Sequence, residues 1–87
     1  MAYSALKELL TRRYGSRCML CERPLARKKQ TFHHRKPIKN GGRDTIDNGC
    51  ILCMECQTII HTFEYGTEAY SKLDNKIRKN LAKYKRK

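Results

Sequence analysis

Two Cys-x-x-Cys pairs, Cys18/Cys21 and Cys53/Cys56, constrain this 87-residue chain more than any other feature. Two cysteines separated by two residues let both sulfurs reach one ion from a tight turn, and Zn²⁺ accepts four thiolates tetrahedrally at ~2.3 Å. A single pair also admits a redox reading. Two pairs bracketing an insert point to one structural zinc site made by Cys18, Cys21, Cys53 and Cys56. The insert is longer than in simple zinc ribbons, so it must fold back as a unit of its own. A chain this short buries a modest core, and an apolar share of 39% is low. The metal is therefore expected to hold the domain folded, because binding free energy here is folding free energy. The fifth cysteine, Cys50, reads as a small buried hydrophobe in a strand, since four ligands already fill the zinc shell.

Local patterns around the pairs predict an α+β arrangement. Ala2 to Tyr14 reads as a helix with Tyr3, Leu6, Leu9, Leu10 and Arg13 or Tyr14 on one stripe, and Gly15 suits the residue just past its end. Thr31 to His34 reads as a short strand bounded by Pro37. Alternation along a strand sends His33 and His34 to opposite sides, which permits them different tasks. Pro37, Asn40, Gly41 and Gly42 mark a turn, with the glycines allowing close backbone approach or positive φ. Ile46 to Leu52 reads as the return strand or loop, with Asn48-Gly49 as a candidate bend. Met54 to Tyr65 reads as a helix ended by Gly66, with Gln57 and His61 four apart on one face. A helix offering two ligands at that spacing, beside a strand offering a histidine, can build a single metal site. Thr67 can cap a last helix that carries Tyr70, Leu73, Ile77, Leu81 and Tyr84 on one stripe. The expected organisation is one domain over 1–87, with a core at about 16–66 and flanking helices at about 2–14 and 67–85.

Charge sets the class of partner. Twenty Lys and Arg against eight Asp and Glu give a net charge of +12. Such a chain repels itself when compact, and a polyanion relieves the repulsion. Nucleic acid is the expected partner. A membrane surface is not, because the basic residues are not confined to one amphipathic helix, and no apolar run approaches the roughly 20 residues of a span. The first fifteen residues mix acid and base into their apolar pattern and lack a cleavage-type ending, so they do not read as a signal peptide. A cytoplasmic protein is expected, in the host cytoplasm if the chain is phage-encoded, where paired cysteines bind metal rather than form disulfides. Arg12, Arg13 and Arg17 suit either phosphate or the end of the helix dipole. Arg27, Lys28 and Lys29 suit either a solvated face or phosphate, and the lysines of the last helix and the Lys85-Arg86-Lys87 tail add non-specific, salt-sensitive affinity.

The string HHRKPIKNGG, then Asn48, then LCMECQTIIH resembles the HNH endonuclease motif, also called the ββα-metal or His-Me finger, in its variant with a four-cysteine zinc site. The resemblance covers Cys18 to His61. It implies a small zinc-stapled ββα-metal fold, a strand hairpin packed on a helix with a metal between them. It also implies roles: His33 as metal ligand from the strand, His34 as general base, Asn48 as the brace that holds the loop and orients His34, and His61 as the last ligand. The family usually has histidine after the last cysteine, where this chain has Gln57. An amide oxygen suits Mg²⁺ or Mn²⁺ better than softer ions, so the catalytic set would be His33, Gln57 and His61, with Gln57 binding directly, binding through water, or marking a site that has decayed.

The implied chemistry is hydrolysis of a phosphodiester bond to a 5′ phosphate and a 3′ hydroxyl. A divalent ion such as Mg²⁺, Mn²⁺ or Ni²⁺ would neutralise developing charge, and His34 would take a proton from water. Arg35, Lys36, Lys39 and Arg43 flank the site and would hold DNA phosphates, contacts that position the backbone and carry little sequence information. Two other readings stand beside this metal-dependent DNA endonuclease or nicking enzyme. One is a zinc-stapled DNA-binding or regulatory protein that kept the fold and lost the chemistry. The other is a small interaction protein of a phage or mobile element, with a partner such as a polymerase or packaging motor in a larger assembly.

Overall fold

The computed structural model describes residues 3–86. Helix α1 runs Ser4–Tyr14, so its expected first residue, Ala2, lies outside the described part, as does Lys87 of the tail. Gly15 ends α1 at φ +90° and donates its N–H to Thr11. Leu10 is buried, but Leu9 is 43% exposed, which narrows the expected stripe. Neighbours on a helix lie roughly 100° apart, and the sheet accepts only the Leu10 side.

Strands β1 (Thr31–His34) and β2 (Gly49–Leu52) pair antiparallel, with Phe32 opposite Ile51, His33 opposite Cys50 and His34 opposite Gly49. This register divides the histidines. His33 is 1% exposed, while His34 lies half-buried with Phe32 and Tyr3. Tyr3 stacks flat on Phe32 at 4.9 Å between ring centroids, and Phe32 covers Gly49, where a Cβ would come within 2.5 Å of the ring. The expected bend at Asn48-Gly49 is instead a 3-10 turn, Ile46–Asn48, leading straight into β2 with Gly49 at φ −109°. Thr45 caps that turn by accepting the Asn48 N–H, so the chain reverses before Asn48 and not at it.

Helix α2 spans Met54–His61, four residues shorter than the sequence pattern suggests. The Thr62 hydroxyl donates to the Ile59 carbonyl at 2.6 Å, and the amides of Thr62 and Phe63 bond three residues back. The tightened last turn stops the helix there. Gly66, at φ +93°, then closes a separate turn rather than the helix. Helix α3 (Glu68–Tyr84) begins as expected, with the Thr67 hydroxyl accepting the Tyr70 N–H. Its stripe completes the core. Tyr70 and Ile77 are buried beside Met19, Leu20, Leu52 and Ile60, with Leu73, Leu81 and Tyr84 packed against them. The opposite lysines are exposed.

Polar contacts also fasten α3 to the rest. Asn80 donates to the Met19 carbonyl at 2.8 Å, Arg35 forks onto Asp74 at 3.1 and 3.4 Å, and Glu22 accepts from both Lys83 and Tyr84. Among the described residues, no helix is long and apolar enough to cross a membrane.

Candidate metal centre and active site

The cysteines converge as the spacing requires. The first pair sits in a knuckle that Glu22 closes at φ +67°, with the Cys18 N–H donating to Arg23 and the Glu22 N–H to Cys18. A non-glycine residue pays for that conformation, and the Glu22 carboxylate is anchored on α3 by Tyr84 at 2.7 Å and Lys83 at 3.0 Å. The second pair comes from the start of α2, where Cys53 is the N-cap and its sulfur accepts the Cys56 N–H. All four sulfurs lie within 4.8 Å of one another, and Cys21 and Cys53 are 3.9 Å apart. A tetrahedron with ~2.3 Å bonds has edges of about 3.8 Å.

The electrostatics agree with a bound cation. Burial pushes the Cys18 thiol up, but the backbone donors of Cys21, Cys53 and Leu20 outweigh it and bring the thiol to about 7. Burial, with the neighbouring sulfurs, pushes Cys56 up, and burial raises Cys21 as well. Four crowded thiols resist carrying several negative charges together, and a divalent ion at their centre removes that cost. The donor set therefore fits zinc. Cys50 is fully buried outside the cluster, its thiol raised by burial.

A second group of side chains converges where β1, α2 and α3 meet. The His33 ring lies 5.8 Å from the His61 ring, centroid to centroid, tilted by 47°. Both ends of the Gln57 amide are engaged. Its Nε2 donates to the Phe32 carbonyl at 3.1 Å, and its Oε1 stands 2.8 Å from His33 Nδ1. A carbonyl only accepts, so this orientation makes Nδ1 the protonated nitrogen and leaves the lone pair on His33 Nε2. Tyr70 adds the third side. Its hydroxyl donates to the Arg35 carbonyl at 2.7 Å, and its oxygen is 3.5 Å from His33 Nε2. Burial pushes the His33 imidazole down to about 4, so at neutral pH it is in the uncharged form that binds metal. His33 is buried and His61 is exposed, and His61 alone of the two lines a solvent-open cleft. Imidazoles are donors of the kind a hydrolytic ion takes, and both ends of the Gln57 amide are already hydrogen-bonded.

His34 faces a different partner. Its Nε2 bonds Asp44 Oδ1 at 2.5 Å, and its ring is wedged edge-on against Phe32 and Tyr3. His34 and His61 meet in a cleft of about 160 Å³ that Phe32, Pro37, Ile38 and Gln57 also line. The Asn48 side chain spends its hydrogen bonds on backbone rather than on the His34 ring. Its Oδ1 accepts the Lys36 N–H at 2.9 Å, and its Nδ2 donates to the carbonyls of Lys36 and Arg43 at 3.0 and 2.9 Å. It clamps the loop from Arg35 to Asn48, and through that loop it sets where Asp44 stands.

The four flanking cations differ. Arg35 is held by Asp74, while Lys36, Lys39 and Arg43 are exposed. Sequence reasoning missed Asp44, Asp74 and Tyr70. Asp44 lies in an irregular loop, where no periodicity marks its direction. Tyr70 and Asp74 share one face of α3 at four-residue spacing, a signal hidden because Tyr70 reads as a core residue.

The model of the HNH endonuclease family matches residues 18–63, just over half of the chain. No curated protein matches it.

Proposed function

This chain belongs to the HNH endonuclease family, and from that premise we propose that it is a metal-dependent DNA endonuclease or nicking enzyme with His34 as general base. The carrying observation is that His34 and His61, from separate elements, line one cleft while His33 lies against His61. A divalent ion held by His33 Nε2 and His61 would supply Lewis-acid stabilisation of the charge that develops on the scissile phosphate.

The remaining work falls to the chain's own side chains. Asp44 accepts the His34 Nε2–H, which leaves Nδ1 as the basic nitrogen and stabilises the imidazolium formed when His34 takes a proton from the attacking water. Gln57 keeps His33 in the Nδ1–H tautomer, and Asn48 keeps the Asp44 loop in place. Lys36, Lys39 and Arg43 present free cations to the phosphate backbone, and Arg35 acts indirectly by tying the loop to α3. Backbone contacts of this kind bind without reading sequence. A reducing, cytoplasmic setting suits a chain whose paired cysteines bind metal rather than form disulfides.

Plasmid cleavage with Mg²⁺, Mn²⁺ and Ni²⁺ tests the proposal. Wild type is expected to cut with at least one of them. His34→Ala is expected to lose on the order of 10²- to 10⁴-fold, and Asp44→Asn roughly 10- to 100-fold. Equal, metal-independent background in wild type and His34→Ala removes the enzyme reading. The second reading is a zinc-stapled DNA-binding protein without chemistry. It is favoured by the Gln57 amide, which stands where the family carries a histidine ligand and has both ends hydrogen-bonded. Salt-dependent DNA retention with no cleavage would select it.

A further inference from the structure

Of the aromatic side chains, Tyr3, Tyr14, Phe32, Tyr70 and Tyr84 are buried or half-buried, whereas Phe63 and Tyr65 are each 40% exposed. Both exposed rings line one cleft of about 250 Å³, and His61 lines it too. Pro37 and Lys39 contribute from the loop after β1, and Tyr70 from α3. The Tyr65 ring stands edge-on to Tyr70 at 5.4 Å, so it is oriented while remaining open to solvent. This arrangement depends on the early end of α2. Had the helix continued, Phe63 and Tyr65 would lie roughly 200° apart on opposite faces. The Thr62 turn places both on the same cleft.

The charges around the cleft say which part of a nucleotide suits it. Glu64 also lines it, and a carboxylate disfavours a phosphate there. Lys39 is exposed beside it and suits the phosphate. A neutral flat ring meets aromatic faces, and the charged backbone meets the ammonium. A base within a duplex is already stacked and cannot enter, so the base must be unpaired.

We propose that the cleft beside His61 is a nucleobase subsite that receives one unpaired base of the bound strand against Phe63 and Tyr65. The position relative to the scissile phosphate rests on the nuclease reading; the subsite itself does not. The consequence is a preference for single-stranded, frayed or flipped-out nucleic acid over intact duplex.

The test uses a single-stranded oligonucleotide carrying one 2-aminopurine, mixed at low salt with zinc-loaded protein and no other divalent ion. Stacking quenches 2-aminopurine, so fluorescence is expected to fall on binding to wild type. Phe63→Ala and Tyr65→Ala are each expected to weaken single-strand affinity on the order of ten-fold and to abolish most of the quenching. Tyr65→Phe keeps the ring and should keep both. Phe63→Leu keeps apolar bulk without a stacking face and should lose the quenching, which guards against an alanine variant that fails to fold. Unchanged quenching in the Phe63→Ala/Tyr65→Ala double variant, or equal affinity for duplex and single strand with no quenching, overturns the proposal. Quenching with no cleavage by wild type leaves the subsite standing and removes only the nuclease reading.

Discussion

At the scale of single residues, His33 has the most to lose from acid. It is 1% exposed, and burial pushes its imidazole from 6.5 down to about 4; the Gln57 carbonyl opposes that shift and is outweighed. The folded chain therefore refuses a proton that the unfolded chain accepts. Well above pH 6.5 neither state is protonated, and the neutral ring costs nothing. As pH falls from 6.5 towards 4, the unfolded state gains protons first and stability declines, by roughly 3 kcal/mol at the bottom of the window. Urea unfolding of wild type and His33→Asn at pH 7 and pH 5 isolates this contribution from acid effects on the thiolates, which both proteins share. Wild type is expected to lose more stability than the variant across that interval. An equal loss would assign the acid sensitivity elsewhere.

At the scale of elements, the loop from Arg35 to Asn48 decides whether the strand and its histidines become a site. Asn48 reaches back to Lys36 and Arg43 with three side-chain hydrogen bonds. That clamp needs Gly42, because a Cβ there would sit 1.7 Å from the Lys36 carbonyl oxygen and 2.9 Å from Asn48 Nδ2. Backbone, not a yielding side chain, occupies the space. Gly42→Ala is expected to cost about 2 kcal/mol or more and to lower cleavage with it, since Asp44 lies two residues on and leaves His34 when the loop shifts. Gly66→Ala is the comparison. Gly66 has positive φ but open space around it, so the cost should be about 1–2 kcal/mol of backbone strain with cleavage retained. Thermal melts followed by circular dichroism, alongside plasmid cleavage, check both.

At the scale of the whole molecule, the thiolate site and α3 form one mechanical unit. The knuckle holds Glu22 at positive φ, Glu22 holds Lys83 and Tyr84, and the Met19 carbonyl, one residue past Cys18, holds Asn80. Losing the ion frees the knuckle, and freeing the knuckle releases the C-terminal helix. Chelation at pH 7 is therefore expected to remove most of the helical circular dichroism signal in one transition, and added zinc to restore it. Structural zinc contributes on the order of 10 kcal/mol in comparable small domains, more than a chain of this size can otherwise spare. A helical signal that survives while the four ligand thiols become titratable and Cys50 stays protected would mean that the apolar core holds without the staple.

The sequence by itself determined the parts whose physics is local. Coordination chemistry ties Cys18, Cys21, Cys53 and Cys56 to one ion, strand alternation sends His33 and His34 to different sides, and a capping threonine starts the last helix at Thr67. Tertiary structure alone decided the partners. The rings of His33 and His61 lie close together because β1 and α2 pack across the same core, and Asp44 meets His34 because a clamp twelve residues from Lys36 folds an irregular loop. Gln57 faces His33 rather than solvent because the Phe32 carbonyl takes its other end. The length of α2 was also settled in three dimensions, by one threonine hydroxyl bonding back to Ile59 where the apolar pattern ran on to Tyr65. Periodicity and spacing report what each residue's neighbours along the chain require. Hydrogen bonds between distant residues depend on the direction each side chain takes once the core has closed, and no local pattern carries that direction.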